Sequence, residues 1–193
     1  EVTQAKLDIR SQASQRHRAS QTYTTAERIE ESAERFAARP CLLYGNEHYD
    51  YDQTNRRINQ VAHAAHALGV RCGDVVAICL ENRPAFMFAW MGLTKLGVRV
   101  AFLNTNVSGK PLVHALEATG AKHIVVGEEC LELFAATELP GDMRYWLWPD
   151  AERPAPAALR ERCVVDLEHA ANQSPDTNPP AEWRAGLVAG DPA

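Results

Sequence analysis

The chain has 193 residues, of which 46% are hydrophobic and 23% are charged, and its formal net charge is −5. This length is enough to bury a hydrophobic core in one domain or in one and a half domains. A negative chain argues against nucleic-acid binding, which usually needs a basic face, so we expect no nucleic-acid partner. A transmembrane helix needs roughly 18 uncharged apolar residues, and the most apolar segment, Ala85–Leu93, is half that length.

The first 23 residues are polar, and we interpret them as an arm or a frayed helix. Basic side chains are gathered there, namely Arg10, Arg16, His17 and Arg18. The simplest interpretation is a solvated leader, and weak attachment to an anionic membrane surface is the alternative. The chain begins with Glu1 and shows no secretory signal, so we expect a processed or trimmed chain.

Five cysteines are scattered along the chain without a C-x-x-C pair: Cys41, Cys72, Cys79, Cys130 and Cys163. An odd number without metal-site spacing predicts free thiols in a reducing compartment. We therefore expect a cytoplasmic protein, and peripheral association with the inner membrane is left open.

A helix and a hairpin are predicted after the arm. Thr24 and Glu27 have the spacing of a capping box, and helical periodicity continues from there to Pro40. Apolar residues on both sides of the turn Gly45-Asn46 then predict a small hairpin.

A second capping box, Asp50 with Gln53, predicts a helix over Tyr51–Leu68. His63 and His66 lie on this helix three residues apart. A metal site needs further ligands, and none is recognisable nearby. We interpret these histidines as surface or partly packed residues.

Apolar runs and helical stretches alternate through the middle of the chain. The predicted strands are Val75–Leu80, Val98–Leu103 and His123–Val126, and the predicted helices between them are Ala85–Leu96 and Ser108–Gly120. Two consecutive β-α-β crossovers of this kind predict a parallel sheet with helices on its faces.

The two crossover helices carry recognisable start signals. Asn82 and Ser108 are their predicted N-caps, and Pro84 and Pro111 fall in their first turns, where a missing N–H costs little. The helix Ala85–Leu96 is apolar nearly all round, so we expect it deep in a core. An acyl-chain wall and a membrane-facing surface are the alternatives.

The remaining predicted elements are shorter. They are a helix at Glu129–Ala136, a fourth strand at an edge of the sheet at Arg144–Trp148, a short strand at Val164-Val165 and a helical turn at Leu167–Ala171. Six of the eleven prolines lie between Pro149 and Pro180, which favours a loop or linker.

The predicted fold class is α/β, with a mainly parallel sheet, flanking helices and a small N-terminal helix-hairpin region. Three regions follow from composition and periodicity. They are a polar arm at 1–23, an α/β subdomain at 24–148, and at 149–193 a proline-rich linker with the start of a next subdomain.

The residues show no complete catalytic site. The turn Glu81–Pro84 after the first sheet strand contains no glycine, and a phosphate-cradling loop depends on glycines, so a dinucleotide site is disfavoured there. Paired carboxylates occur at Glu30-Glu31 and Glu128-Glu129. We interpret them as helix-start or surface positions rather than as an acid–base pair.

The stretch Glu81–Leu116 (ENRPAFMFAWMGLTKLGVRVAFLNTNVSGKPLVHAL) resembles the N-terminal part of a long- or very-long-chain fatty acyl-CoA synthetase. More narrowly, it is similar to the fatty-acid-transport-protein branch of the adenylate-forming enzymes. The dipeptide Asn104-Thr105 stands where many adenylate-forming enzymes have Asn-Pro, which fits this branch. The resemblance covers Thr24 to Ala193 and places the chain in the N-terminal domain of such an enzyme.

The resemblance implies a two-step reaction in a longer parent protein. A fatty acid carboxylate attacks the α-phosphate of ATP to give an acyl-adenylate, and the thiol of CoA then displaces AMP. Mg²⁺ would neutralise phosphate charge in the first step. The implied partners are the fatty acid substrate and the rest of the ligase chain. A surface exposed by truncation could also form a homo-oligomer.

The phosphate loop, the adenylate-gripping motifs and the C-terminal lysine of such enzymes are not in this sequence. We therefore assign no catalytic, cofactor-binding or metal-binding residue, and we expect these 193 residues to be inactive alone and to hold no cofactor. Lys95 matches a family position and is expected to pack its stem beside a strand. Asn104 and Asn106 are expected to fix their loop through side-chain-to-backbone hydrogen bonds.

Two other classes of function stay open at this point. The chain could be a non-enzymatic α/β module that binds acyl chains or a protein, using the apolar surface of Ala85–Leu96. A stand-alone nucleotide-binding domain is the weaker alternative, because the phosphate-binding glycines are missing.

Overall fold

The computed structural model describes residues 3–7, 11, 18–135 and 143–191. Residues 3–7 are helical and exposed, which agrees with one of the two forms predicted for the arm. The rest of the arm before residue 18 and the predicted helix end at Ala136 lie outside the described residues.

The elements follow one another in the predicted order. The α-helices are α1 (Thr25–Phe36), α2 (Tyr51–Ala67), α3 (Pro84–Lys95), α4 (Lys110–Thr119), α5 (Ala157–Arg160) and α6 (Leu167–Asn172). The strands are β1 (Pro40–Tyr44), β2 (Glu47–Asp50), β3 (Val75–Cys79), β4 (Arg99–Phe102), β5 (His123–Gly127), β6 (Arg144–Trp148) and β7 (Val165–Asp166). Two 3₁₀ helices span Glu128–Phe134 and Ala181–Arg184.

Both predicted capping boxes are present. The carboxylate of Glu27 accepts a hydrogen bond from the Thr24 amide at 2.7 Å, and the Asp50 carboxylate accepts one from the Gln53 amide at 2.7 Å. Such caps satisfy amides that have no partner inside the helix, which is why α1 and α2 begin at these positions. Between them, β1 and β2 pair antiparallel around Gly45, as predicted.

The other strands form one parallel sheet in the order β4-β3-β5-β6-β7. Ala77 on β3 lies opposite Ala101 on β4 and Ile124 on β5. The chain runs from β3 through α3 to β4, and then through α4 back to β5 on the other side of β3. This confirms the two predicted crossovers and the α/β fold class.

The sheet has a separate hydrophobic core on each face. Helices α2, α3 and α6 cover one face, where Ile58, Leu93 and Trp146 are at most 2% exposed. Helices α4 and α5 and the first 3₁₀ helix cover the other, around Leu116 and Val126. Each fully buried side chain of this size contributes about 2 kcal/mol to folding.

Helices α2 and α3 approach closely at a glycine. A Cβ atom at Gly92 would lie 2.7 Å from Cβ of Val61 and 2.9 Å from the carbonyl oxygen of Ile58. The closeness explains why α3 is buried along one side. Phe88 of α3 is 4% exposed, as expected for a helix deep in the core, whereas Trp90 of the same helix is only partly buried.

Three details of the sequence interpretation are wrong. The N-caps of α3 and α4 are Arg83 and Gly109, not Asn82 and Ser108, and neither makes a side-chain cap hydrogen bond. A proline in the first turn supports each helix start instead. Strand β6 is interior, because the two-residue strand β7 pairs with it. A strand that short gives too weak a pattern for the sequence to place it at the edge.

The other edge of the sheet is β4. Among the described residues, none pairs with its outer side. Phe102 at its end is 50% exposed and lies against Phe86 and Trp90 of α3, with ring centroids 5.4 Å and 5.3 Å away. This corner is therefore an apolar, partly open surface.

Candidate functional site

The carboxyl ends of the parallel strands form the first place to look for a site. The chain leaves β3 toward β4 on one side and returns to β5 on the other, so the strand order reverses between β3 and β5. In open α/β sheets, ligands bind outside the strand ends at such a reversal. The residues that follow β3 and β5 therefore decide what this position can hold.

An ion pair fills the position. The guanidinium of Arg83 donates to the carboxylate of Glu129 from Nε to Oε1 at 3.2 Å and from Nη2 to Oε2 at 2.9 Å. The amide of Glu81 donates to the same carboxylate at 3.0 Å. The side chain of Glu129 is fully buried and that of Arg83 is 13% exposed. A bidentate, desolvated pair of this kind is strong and geometrically specific.

Gly127 makes room for the pair. A Cβ atom there would lie 2.3 Å and 2.4 Å from the two carboxylate oxygens of Glu129. The glycine at the end of β5 thus serves a neighbouring side chain and not a phosphate. The backbone amide of Glu81 at the strand reversal is engaged by this carboxylate.

A cleft of about 480 Å³ opens beside the ion pair. Its walls come from the hairpin, from α2, from the start of α3 and from the loop after β6. Aromatic rings line part of it, with Tyr49 packed edge-on against Phe88 at 5.2 Å and Trp148 behind Phe88 at 6.5 Å.

Glu128 shapes the loop after β6. Its carboxylate is 4% exposed and accepts hydrogen bonds from the amides of Asp150 and Ala155, both at 2.9 Å. Glu128 and Glu129 lie at a helix start, which is one of the two predicted positions, but neither is a surface carboxylate, because both side chains are buried at the strand ends. Buried carboxylates need partners, and here the partners are backbone amides and arginines.

The arginines around the cleft are all paired. Arg83 contacts Glu129, Arg153 contacts Glu81 and Asp150, Arg160 contacts Glu128, and Arg57 contacts Gln60 and Asn172. Contacting carboxylates balance the charges of Arg83, Arg153 and Arg160, whereas Arg57 contacts neutral amide side chains. The arrangement lacks the convergent donors that hold phosphates.

Two carboxyl groups at the cleft have shifted pKa values. Burial raises the pKa of the half-buried Glu168, and the nearby Arg57 opposes this shift. Burial also acts to raise the pKa of Asp150, but hydrogen bonds from the amides of Glu152 and Arg153 and the charge of Arg83 outweigh it and lower the pKa. Both shifts follow from burial and from the neighbouring amides and charges.

Metal chemistry has no support in the geometry. Within residues 3–7, 11, 18–135 and 143–191, no three histidine, cysteine or carboxylate side chains are placed to hold an ion together. His63 and His66 are partly packed, as predicted: the ring of His66 stacks on Trp183 at 3.6 Å and an interplanar angle of 4°. The five cysteines are free thiols, which confirms that prediction.

Lys95 forms a second polar cluster, which the sequence analysis did not predict. Its side chain is fully buried, and its ammonium has several polar partners. Nζ donates to the side-chain oxygens of Asn55 at 2.8 Å, Asn59 at 2.7 Å and Asn178 at 3.1 Å. It also lies 3.2 Å from the Glu30 carboxylate. Glu30 therefore faces this cluster and not the solvent.

The sequence contained a signal for each missed group. Lys95 is the only charged residue of the otherwise apolar helix α3, and an isolated charge on a buried helix calls for buried partners. Glu129 lies two residues after the glycine that ends a buried strand. The partners come from distant parts of the chain, so the pattern alone did not reveal them. Asn104 behaves as predicted, since its Oδ1 accepts from the amide of Asn106 at 2.8 Å.

Comparison with known proteins adds the family context. A sequence profile described as AMP-binding enzyme matches residues 29–184. Long-chain fatty acid transport protein 2 of Rattus norvegicus is 43% identical over 103 residues, which are 53% of this chain and 17% of that protein. Long-chain fatty acid transport protein 6 of Homo sapiens is 35% identical over 109 residues, which are 56% of this chain and 18% of that protein.

A solved structure shows the same fold. The crystal structure of the anthranilate CoA ligase AuaEII in complex with anthranoyl-AMP superposes with a TM-score of 0.71, covering 89% of this chain and 31% of that one at 18% identity. The resemblance inferred from the sequence is confirmed by these matches. The chain matches less than a fifth of the length of the two transport proteins.

Proposed function

The chain belongs to the family of AMP-binding enzymes, and we propose that it is the N-terminal part of an ATP-dependent ligase that joins long- or very-long-chain fatty acids to CoA. The observation that carries the proposal is the 43% identity to a long-chain fatty acid transport protein over 103 residues. In the parent protein, a fatty acid carboxylate would attack the α-phosphate of ATP, and CoA would then displace AMP.

We propose that ATP, Mg²⁺ and CoA bind to other parts of the parent. Among the described residues, those at the strand reversal do not fit a nucleotide, because the Arg83–Glu129 pair occupies that position and the adjoining turn has no glycine. No chemical step is therefore assigned to a residue described here. The role of this region is to support the adenylation machinery packed against it.

A direct test compares this chain with a longer protein from the same gene. Each is incubated with ATP, Mg²⁺, CoA and oleate, and oleoyl-CoA is measured by mass spectrometry. We expect oleoyl-CoA from the longer protein and none from the 193 residues. Product from the 193 residues alone would show that they contain a complete site. No product from the longer protein with any acid of 12 to 26 carbons would contradict the substrate class.

One observation favours a second candidate, a non-enzymatic module that binds acyl chains or a protein. The Phe86–Trp90–Phe102 cluster is partly open, and Phe102 is 50% exposed. Titration with a fluorescent fatty acid distinguishes the two proposals. Saturable binding that is lost in Phe102→Ala would favour the acyl-binding module. Absence of binding would count against that module, and the ligase proposal would remain.

Location and organisation complete the proposal. No helix among the described residues has the length and apolar character needed to cross a bilayer. We propose a cytoplasmic protein, consistent with its free thiols, and the alternative is peripheral association with the inner membrane. The division of the chain into three regions, with boundaries after residues 23 and 148, stays a prediction. A homo-oligomer formed through an exposed surface is a second prediction. Sedimentation at several concentrations tests the second of these.

A further inference from the structure

Residues 176–191 contact the helices at several points, although the proline-rich sequence is typical of a linker. The first point is Asn178. Its Oδ1 accepts hydrogen bonds from Lys95 Nζ at 3.1 Å, from Asn55 Nδ2 at 3.0 Å and from Asn59 Nδ2 at 3.1 Å. Asn59 Nδ2 also donates to the carbonyl of Asp176 at 2.8 Å. One exposed loop residue thus completes a buried polar cluster.

The second point is Arg184, which is 7% exposed. Its Nε donates to Glu27 at 2.8 Å, and its Nη2 donates to Oε2 of Glu30 at 3.1 Å. The other oxygen of Glu30 faces Lys95 at 3.2 Å. Glu30 therefore bridges the two buried cations and links α1 to α3 and to this segment.

Two further contacts hold the middle and the end of the segment. In the middle, Trp183 stacks on the ring of His66. Near the C-terminal end, the amide of Ala189 donates to the carbonyl of Gln21 and the amide of Gly190 donates to the carbonyl of Ala19, both at 2.8 Å. A Cβ atom at Gly190 would lie 2.8 Å from Cβ of Ala19, so only glycine permits this approach.

The ammonium of Lys95 lies at the centre of these contacts, and its burial costs folding free energy. Burial lowers its pKa to about 8, against the opposing pull of Glu30. A buried charge is weak support for stability and is often replaceable by an apolar residue. Its presence in an otherwise apolar helix is better explained by specificity, since three asparagine side chains and a carboxylate converge on one ammonium.

We propose that Lys95 is a positioning residue whose ammonium, shared by Glu30 and Asn178, fixes the path of residues 176–191 across α1, α2 and α3. The segment then keeps one direction over the helices despite its loop-like sequence. This inference goes beyond the proposed ligase function and does not depend on it, because every contact that supports it lies within this chain.

Hydrogen exchange of the 193-residue chain tests the proposal. The variants are Lys95→Met, Asn178→Ala and the double variant. Arg56→Met is the matched control, since it removes a 3.1 Å contact to Asp176 on the same loop that is exposed to solvent. In each single variant we expect amides 176–191 to exchange at least tenfold faster, while amides of β3 and β5 change less than twofold. The control should change exchange at 176–191 less than twofold.

The double variant separates a shared contact from two independent ones. If Lys95 acts through Asn178, the double variant exchanges no faster at 176–191 than the faster single variant. Additive acceleration would overturn the proposal, and so would unchanged exchange in Asn178→Ala or equal acceleration of 176–191, β3 and β5 in Lys95→Met. If Lys95→Met fails to fold, Asn178→Ala decides alone, because Asn178 is an exposed loop residue.

Discussion

Arg83 and Glu129 form a bidentate ion pair at the point where the strand order of the parallel sheet reverses, with Nη2 of Arg83 2.9 Å from Oε2 of Glu129. The pair belongs to the turn after β3 and to the first turn after β5. It closes a position that many α/β proteins use for nucleotides. Protein side chains therefore occupy this position of the sheet.

Glu129→Ala should destabilise the chain strongly. The change leaves the guanidinium of Arg83 buried without its carboxylate, and breaking such a pair costs about 3–5 kcal/mol. Urea unfolding at pH 7 measures the effect. Glu81→Ala is the control, because its pair with Arg153 is about half exposed on both sides and should be worth less than about 1 kcal/mol. Equal effects in the two variants would contradict the assigned importance of the buried pair.

Gly127→Ala should act through the same pair. The added methyl group would overlap the carboxylate of Glu129, which has to move away from Arg83. We therefore expect the double variant Gly127→Ala/Glu129→Ala to be about as stable as Glu129→Ala alone, because residues in contact are not additive. Urea midpoints of the four proteins give the comparison. Costs that add fully would show that Gly127 has a role independent of Glu129.

The sequence predicted the scaffold well, and the reasons are local. Capping boxes at Thr24 and Asp50 and glycine at 120 act within a few residues, so the helix ends they specify formed as expected. The alternation of apolar runs predicted the crossovers. The predicted sheet edge was wrong because the short strand expected at Val164-Val165 has only two residues, too few to indicate that it pairs with β6.

The buried polar groups could not be predicted in the same way. Glu129 and Arg83 are 46 residues apart in sequence, and Lys95 and Asn178 are 83 apart. Such pairs depend on the tertiary arrangement and leave no periodic pattern. What the sequence does show is a charge in an apolar setting, as at Lys95. That signal predicts burial with partners but does not name them.

Alkaline titration should reveal the buried amine of Lys95. Its pKa is about 8 in the folded chain and 10.5 ordinarily. Between these values the unfolded chain binds the proton and the folded chain does not, so this group makes folding more favourable as pH rises. Below pH 8 the full cost of the buried charge is present in the wild type.

The measurement is the unfolding free energy of the wild type minus that of Lys95→Met. This difference should shift in favour of the wild type by up to about 3 kcal/mol between pH 8 and 10.5. Taking the difference cancels the contributions to the unfolding free energy of thiols and tyrosines that titrate in the same pH range. A difference that stays flat from pH 7 to 10 would show that Lys95 is not desolvated.

Acid titration should reveal Glu27. Burial acts to raise its pKa, but hydrogen bonds from Thr24 and Arg184 outweigh it and hold the pKa at about 2 instead of 4.5. The carboxylate thus adds stability that is present above pH 4.5 and is lost as pH falls toward 2. After allowance for solvent screening, the contribution is about 1 kcal/mol.

Glu27→Gln isolates that contribution, since glutamine can still complete the capping box with Thr24. We expect the variant to be less stable than the wild type at pH 7 and equal to it near pH 2, by urea unfolding. Glu34→Gln, on the exposed side of α1, is the matched control and should show no such dependence. The same loss at pH 7 and pH 2 would indicate that packing and not charge is involved.

The proposed function makes this chain the N-terminal part of a fatty-acid-activating enzyme whose nucleotide site lies outside the residues described here. The most direct test is the fatty-acid-dependent exchange of labelled pyrophosphate into ATP, without CoA, by the longer protein and by the 193-residue chain. We predict exchange that requires oleate in the longer protein and no exchange by the 193 residues. Oleate-dependent exchange by the 193 residues, or its absence in the longer protein with every long-chain acid tried, would contradict the account.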